Sequence, residues 1–155
     1  MGIKSFQGAR ETVKKEYNAP ILVEDYMTKD LVVFSPDQSI LEVMELFIKH
    51  NISGGPVVNE RGELVGIISE ADCMKQISES RYFNMPILDK SVERFMTKNV
   101  ETIPHDMNIF DAASVFYKNK RRRLPVLDTG TLVGQISRKD IVVAALKLSS
   151  QNWKD

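Results

Sequence analysis

Two short segments of the chain each place a serine and an aspartate three residues apart after an apolar run. Ser69 and Asp72 end residues 66–72, and Ser137 and Asp140 end residues 134–140. A serine followed three residues later by a carboxylate is typical of a helix N-terminus, where both side chains cap the backbone. A helix N-terminus also favours anions, and an aspartate offers two acceptors to a ribose diol. The sequence is therefore consistent with two roles for these side chains, helix capping and contact with a ligand.

A run of basic residues precedes the second of two Pro-Val pairs. Residues 118–123 hold five cations in six positions, whereas residues 51–55, directly before the first Pro-Val pair, carry none. One interpretation is a helix C-terminus, where the macrodipole favours positive charge. Another is phosphate binding by Arg122 or Arg123, whose guanidinium matches a phosphate. A nucleic-acid patch is the weakest of the three, because no aromatic residues alternate with the cations to stack bases.

Other reactive residues lack the partners that catalysis requires. Residues 128–130 spell the Asp-Thr-Gly triplet of aspartic proteases, but the same residues are typical of a turn. His50 and His105 stand alone in the sequence, and no glycine-rich phosphate loop occurs. The single Cys73, next to Met74, is expected to be packed rather than reactive, and no Cys/His cluster has the spacing of a zinc site. We therefore expect no enzymatic activity and no metal.

The composition is that of a globular protein. The 155 residues are 43% hydrophobic and 27% charged, with 21 basic and 21 acidic residues. This neutral balance argues against binding a nucleic acid. No apolar run approaches the roughly 18 residues of a membrane span, and residues 1–20 show neither a secretory signal nor a myristoylation pattern. We expect a cytosolic protein without a membrane partner.

The paired features arise from an internal repeat. Residues 23–59 align with residues 92–128 and, after one deleted residue, residues 62–72 align with residues 130–140. Eleven of 37 and seven of 11 aligned positions are identical. Average composition would give roughly three identities in all. The chain is therefore a tandem duplication.

Both copies predict the element order β-α-β-β-α after an opening helical turn. In the first copy the opening turn is predicted at residues 23–28, the three strands at 31–34, 56–58 and 64–69, and the closing helix from residue 70. The first helix of this copy has a cap around Asp37 and an apolar stripe of Ile40, Val43, Met44 and Phe47. In the second copy the opening turn is predicted at residues 92–97, the three strands at 100–103, 125–127 and 132–137, and the closing helix from residue 138. The first helix of this copy has a cap around Asp106 and an apolar stripe of Ile109, Ala112, Ala113 and Phe116. About 50 residues bury a core poorly alone. We predict an α/β (α+β) fold of two copies packed with pseudo-two-fold symmetry.

These features resemble the paired cystathionine-β-synthase (CBS) domain, or Bateman module, over about residues 20–148. The likeness rests on the doubled openings, the doubled Pro-Val pairs and, above all, the two closing segments, which match the pattern Gly-apolar-apolar-Ser/Thr-x-x-Asp. It divides the chain into an extension at residues 1–19, one motif at residues 20–79, a linker at residues 80–91 and a second motif at residues 92–150. We expect a free-standing pair that acts on an unknown target protein.

The resemblance implies a regulatory module that binds AMP, ADP, ATP or S-adenosylmethionine in clefts between the motifs. It implies ribose or phosphate contacts for Ser69, Asp72, Ser137 and Asp140. Because family members often carry a basic residue before the Pro-Val step, it also implies phosphate contacts for Arg122 and Arg123. The implied adenine slot contains Val33, Phe34, Pro36, Thr102, Ile103, Pro104, Pro56 and Pro125. The alternative for each of these side chains is that it only packs within its strand and does not contact a ligand.

A rival function is a ligand-free scaffold or partner-binding protein that keeps the fold without the pocket. A hydrolase would require catalytic residues that the sequence does not show. The family commonly dimerises, and apolar positions of the last helix would be exposed in a monomer. These positions are Ile141, Val142, Ala145 and Leu146. We therefore predict a homodimer.

Overall fold

A computed structural model of the chain describes residues 21–83 and 90–153. In chain order the elements are a 3₁₀ turn at Val23–Asp25, α1 at Ile40–His50, β1 at Gly54–Val58, β2 at Leu64–Ser69, α2 at Glu70–Phe83, α3 at Val92–Phe95, β3 at Ile103–Pro104, α4 at Ile109–Asn119, β4 at Arg123–Asp128, β5 at Thr131–Ser137 and α5 at Arg138–Trp153. This confirms the mixed α/β class with tandem units. The expected extension lies outside the described residues, as do residues 84–89 of the expected linker, into which α2 runs.

Each copy builds a small sheet on its own hairpin. β1 pairs with β2, and β4 pairs with β5, both in antiparallel register. The first predicted strand of each copy is shorter than expected. Phe34 forms a single parallel bridge to Val57, and Ile103–Pro104 is a two-residue strand parallel to β4. Parallel pairing joins segments that are separated by the helix of the same copy, so the local sequence does not show how long these strands are.

The caps of the two amphipathic helices lie two residues beyond the aspartates around which they were expected. Ser39 caps α1 and Asn108 caps α4, each accepting a hydrogen bond from the backbone N–H three residues on, at 3.1 and 2.8 Å. Serine and asparagine are favoured caps because their short side chains reach these first unpaired donors. The apolar stripe of each helix then faces the sheet of its own copy.

The two copies exchange their opening turns. Val23, from the first copy, is fully buried in the core of the second copy, and Val92, from the second copy, is fully buried in the core of the first. The Val23 N–H donates to the Met107 carbonyl and the Val92 N–H donates to the Gln38 carbonyl, both over 2.8 Å. Each core therefore depends on the other copy, as the packed arrangement predicted from the sequence requires.

Two glycines let the opening segments cross the closing strands. A Cβ atom at Gly134 would lie 2.9 Å from the Thr28 carbonyl oxygen, and one at Gly66 would lie 2.9 Å from the Thr97 carbonyl oxygen. The next residue of each closing strand forms an antiparallel bridge with that same threonine. The bare backbone of glycine permits this approach, which explains why both closing segments begin with glycine.

Helix α5 buries part of the surface that was expected to be exposed. Ile141 is only 8% exposed and lies in the core of the second copy, so its predicted exposure is wrong. Ile141, Ala144 and Leu148 recur at helical spacing and form the buried face. Val142 and Leu146 are exposed as expected, at 57% and 65%, and Ala145 is also exposed.

Among the described residues, no helix has both the length and the apolar character needed to span a membrane.

Candidate functional site

The aspartate of each closing segment caps the start of the helix that follows, and in the second copy the serine caps it as well. The Ser69 N–H and hydroxyl both donate to Asp72 Oδ2, at 2.8 and 3.0 Å. The Ser137 N–H donates to Asp140 Oδ2 at 2.8 Å, and the Asp140 N–H donates to Ser137 Oγ at 3.2 Å. All of these bonds to a carboxylate use Oδ2. Capping is therefore real in both copies, and Oδ1 of each aspartate can serve a ligand.

The residues before each Pro-Val step lie beside the same helix N-terminus. Arg123 pairs with Ser137 across the β4–β5 hairpin, and the Arg122 carbonyl accepts from the first N–H of α5 at 3.1 Å. Ser53 and Gly54 take the same two places beside α2. Both arginine side chains are exposed. The structure thus brings the two arginines to the start of α5 and leaves the start of α2 without them.

The rest of the basic run has other roles. Lys118 lies in the last turn of α4, and Lys120 is its C-cap in the left-handed conformation, with φ 54°. Positive charge is favourable there because the helix dipole ends in unpaired carbonyls. Arg121 Nε donates to Glu101 Oε1 at 2.9 Å, and the Asn119 amide bonds the other oxygen of Glu101. The helix-end interpretation therefore accounts for the first part of the run only.

Glu101 and Arg121 border an open depression of about 690 Å³. Its lining residues are Lys98, Asn99, Val100, Glu101, Asn119 and Arg121. Residues 98–102 form a crossing segment between Thr97, bridged to β2, and β3, paired with β4. The depression therefore borders the segment that joins the sheets of the two copies. The pairing of Glu101 with Asn119 and Arg121 was not predicted, although a carboxylate stands where the first copy has Val32.

Half of the eight expected adenine-slot side chains are buried. Phe34 and Ile103 are 1% and 0% exposed, and the Phe34 ring packs edge-to-face on Phe47 with centroids 5.6 Å apart. Pro56 and Pro125 are also buried. Strand packing therefore occupies these side chains, and a ligand could reach only their backbone. The members with exposed or partly exposed side chains are Val33, Pro36, Thr102 and Pro104.

Val33, Phe34 and Pro36 line a second depression, of about 550 Å³. Its other lining residues include Asn59, Glu60 and Glu93, and none of the capping serines or aspartates is among them. The structure therefore places Pro36 with the hairpin turn of the first copy, away from the two helix N-termini.

A polar cluster ties the opening turn of the first copy to the second copy. His105 Nδ1 lies 2.9 Å from Glu24 Oε2, and His105 Nε2 lies 3.4 Å from Asp128 Oδ1. The hydrogen bond to Glu24 raises the pKa of His105, burial opposes the rise, and the charges of Asp128, Glu24 and Asp106 add to it. His105 is therefore not isolated, contrary to expectation. Asp128 also begins the predicted turn, in which Thr129 and Gly130 adopt positive φ.

Cys73 is packed as expected. It is 1% exposed, and burial, assisted by the charges of Asp72 and Glu70, raises the pKa of its thiol to about 11. Within residues 21–83 and 90–153, no group of three or more His, Cys, Asp or Glu side chains could hold a metal ion.

Comparison with known proteins shows which family the chain belongs to. The CBS domain family model matches residues 23–79 and 92–147. Uncharacterized protein MJ1426 of Methanocaldococcus jannaschii is 35% identical, covering 81% of this chain and 92% of its own. The crystal structure of CBSX2 from Arabidopsis thaliana in complex with AMP is 32% identical with a TM-score of 0.72, covering 84% of this chain and 99% of that one. The CBS domain pair of protein MJ0100 in complex with 5-methylthioadenosine and S-adenosyl-L-methionine is 32% identical with a TM-score of 0.67, covering 83% and 98%. The chain belongs to the CBS domain family and carries that domain twice, as a tandem pair.

Proposed function

We propose that this CBS pair is a regulatory, non-catalytic module that binds an adenosine-containing nucleotide at the N-termini of α2 and α5. AMP, ADP and ATP are the first candidates, and S-adenosylmethionine is another. The observation that carries the proposal is that the N-terminus of α5, the Asp140 carboxylate and the backbone of the exposed residues Arg122 and Arg123 lie side by side. The similar CBS pairs that hold AMP or S-adenosylmethionine support it.

Each polar group has a distinct role in this proposal. Asp72 and Asp140 accept from the ribose hydroxyls through Oδ1, because their Oδ2 atoms already cap the helices. Ser69 and Ser137 stand at the helix N-termini, where the helix dipole favours a phosphate. Arg122 and Arg123 add charge-assisted hydrogen bonds to phosphate at α5.

The adenine ring would be held chiefly by backbone groups of two segments, residues 32–34 and residues 101–103. The side chains of Phe34 and Ile103 are committed to the cores, whereas Val33 and Thr102 reach the surface of the same segments. A flat heteroaromatic ring needs an apolar slot with a few donors and acceptors along its edge. Residues 32–34 and 101–103 can supply these groups.

The module would signal through the packing of its two copies. Because each opening turn is buried in the core of the other copy, a ligand between the copies acts on a shared interface. A ligand shifts an equilibrium only by its difference in affinity for the two arrangements. The nucleotide would therefore favour one packing, and a cytosolic target protein would recognise that packing.

The module would act as a homodimer. Val142 and Leu146 on α5, and Ile48 and Met74 on the helices of the first copy, expose large apolar side chains. Solvent-exposed apolar side chains on neighbouring helices mark an interaction surface. Light scattering at micromolar concentration should give twice the 17.6 kDa mass of the chain, and a monomer mass would remove this part of the proposal.

Thermal unfolding with a ligand panel tests the binding function. At about 100 times the dissociation constant, a ligand adds about 2.7 kcal/mol, which raises the melting temperature by roughly 5 to 10 °C. AMP, ADP, ATP and S-adenosylmethionine form the panel, and GMP at equal ionic strength controls for binding that needs only a phosphorylated ribose and any purine. A rise with an adenosine ligand and not with GMP supports the proposal. No rise with any ligand would favour the ligand-free scaffold instead.

A further inference from the structure

The polar cluster of His105 joins elements that come from both copies. His105 lies between β3 and α4, Glu24 belongs to the opening turn of the first copy, and Asp128 ends β4. His105 Nδ1 lies 2.9 Å from Glu24 Oε2, and Nε2 lies 3.4 Å from Asp128 Oδ1. The backbone adds two bonds of 3.0 Å, because the His105 N–H donates to the Leu127 carbonyl and the His105 carbonyl accepts from the Glu24 N–H. His105 therefore connects the opening turn of one copy to the sheet of the other.

A carboxylate at each ring nitrogen makes this connection depend on protonation. The imidazolium can donate from both nitrogens, to Glu24 and to Asp128 at once. The neutral ring has one N–H and one lone pair, so either tautomer turns a lone pair towards one of the two carboxylates. The pKa of His105 is raised accordingly, chiefly by its hydrogen bond to Glu24 and further by the charges of Asp128 and Asp106, while burial opposes the rise. The protonated ring therefore fits this place better than the neutral ring.

The equivalent place in the first copy has no histidine. The residues that stand there for the histidine and its two carboxylates are Pro36, Glu93 and Asn59. The backbone is alike, since the Glu93 N–H donates to the Pro36 carbonyl at 2.8 Å. These three residues line the depression of about 550 Å³ instead of forming a bonded cluster. Of the two opening turns, only that of the first copy is therefore held by a group that titrates near neutral pH.

We propose that His105 is a pH-sensitive latch between the two copies, which holds the opening turn of the first copy when it is protonated and loosens that turn when it is neutral. The proposal goes beyond nucleotide binding, because the latch needs no ligand. Since the pKa of the ring is raised in the fold, the hold is complete below the unfolded-state pKa of about 6.5 and is lost as the pH rises through the folded-state pKa. The latch governs the burial of Val23, which completes the core of the second copy.

Amide hydrogen exchange followed by NMR tests the latch, with the other opening turn as an internal control. The Glu24 N–H bonds to the His105 carbonyl and the Glu93 N–H bonds to the Pro36 carbonyl, so each amide exchanges when its own turn opens. Between about pH 6 and about pH 8.5, we expect the protection of the Glu24 amide, corrected for the intrinsic exchange rate, to fall at least about threefold relative to that of Glu93. An equal change at both amides would overturn the proposal.

Two variants assign the effect to His105. His105→Gln can still donate to Glu24 but does not titrate, so the ratio of protection between the Glu24 and Glu93 amides should no longer change with pH. His50→Gln removes the other histidine of the chain and should behave like the wild type. A pH-dependent ratio that persists in His105→Gln, or that disappears in His50→Gln, would overturn the proposal. If His105→Gln does not fold, the comparison of the two amides in the wild type decides alone. No nucleotide is present in these measurements, so failure of the latch leaves the proposed function untouched.

Discussion

Ser137 and Asp140 exchange hydrogen bonds across the first turn of α5. The Ser137 N–H donates to Asp140 Oδ2 over 2.8 Å, and the Asp140 N–H donates to Ser137 Oγ over 3.2 Å. One carboxylate oxygen, Oδ2, is thus committed to the cap, which leaves Oδ1 for a ligand. Capping and ribose binding are therefore compatible in one residue, and a substitution that keeps the first role can test the second.

Asp140→Asn should lower nucleotide affinity with little effect on stability. The asparagine oxygen can still accept from the Ser137 N–H, so the free energy of unfolding should fall by less than about 1 kcal/mol. Loss of a charged hydrogen-bond partner for the ribose should raise the dissociation constant at least tenfold, since such bonds contribute about 1.5 to 3 kcal/mol. Calorimetry and denaturant unfolding measure both quantities. Asp72→Asn is the matched variant in the first copy, and unchanged affinity in both variants would remove the ribose role.

Replacing Arg122 and Arg123 together by Ala should discriminate between ligands by their phosphate content. Only α5 has these cations beside its N-terminus, because Ser53 and Gly54 occupy the equivalent places. We expect ATP to bind at least tenfold more weakly, AMP to be affected less and adenosine hardly at all, with raised salt reproducing part of the loss.

The control for the arginine variant removes two equally exposed charges elsewhere. Arg61 in the first hairpin turn and Arg94 in α3 are both exposed, and their double replacement by Ala leaves the helix N-termini intact. Equal loss of affinity for ATP, AMP and adenosine in the Arg122/Arg123 variant would mean that the adenine slot had been disturbed. No loss for any of them would limit the run to its structural role at the end of α4.

The link between His105 and Glu24 should make stability depend on pH. The pKa of His105 is raised in the fold, chiefly by its hydrogen bond to Glu24, with Asp128 and Asp106 also facing the ring. A raised pKa means that the contribution to stability is complete below the unfolded-state pKa of about 6.5 and is lost as the pH rises through the folded-state pKa. The difference in unfolding free energy between wild type and His105→Gln should therefore be larger at about pH 5.5 than at about pH 8.5. A difference that grows towards alkaline pH would contradict this assignment.

The thiol of Cys73 should resist modification in the folded protein. Burial raises its pKa to about 11, and the side chain is 1% exposed. At about pH 8 the thiolate that reacts with a disulfide reagent is scarce and shielded. We expect slow reaction in native buffer and rapid, stoichiometric reaction in guanidinium chloride. Rapid reaction of the native protein would show that α2 opens at this position.

The local structure was predicted well from the sequence because the pattern of each element occurs in both copies of the repeat. β2 matches residues 64–69 as predicted, and the caps and closing helices start where Ser69 and Ser137 indicated. The first strands were predicted too long, since pairing by Phe34 and Ile103 depends on partners that are distant in the chain. Local propensity could not show that pairing.

Contacts between the copies could not be predicted in this way. A repeat shows that two units are alike, but not that Val23 completes the core of the second unit. The partner of His105 is 81 residues away, and Glu101 meets Arg121 only because a crossing segment passes the end of α4. Ile141 was placed on the wrong face because a single helix shows which residues are apolar, but not which side the neighbouring sheet covers.

The most direct measurement of the central claim is a calorimetric titration of AMP and ATP into the wild-type chain and into the Asp72→Asn/Asp140→Asn double variant. The account predicts saturable binding of at least one of these nucleotides to the wild type and a dissociation constant at least tenfold higher in the folded double variant. Absence of saturable binding to the folded wild type, or equal affinity in both proteins, would contradict it.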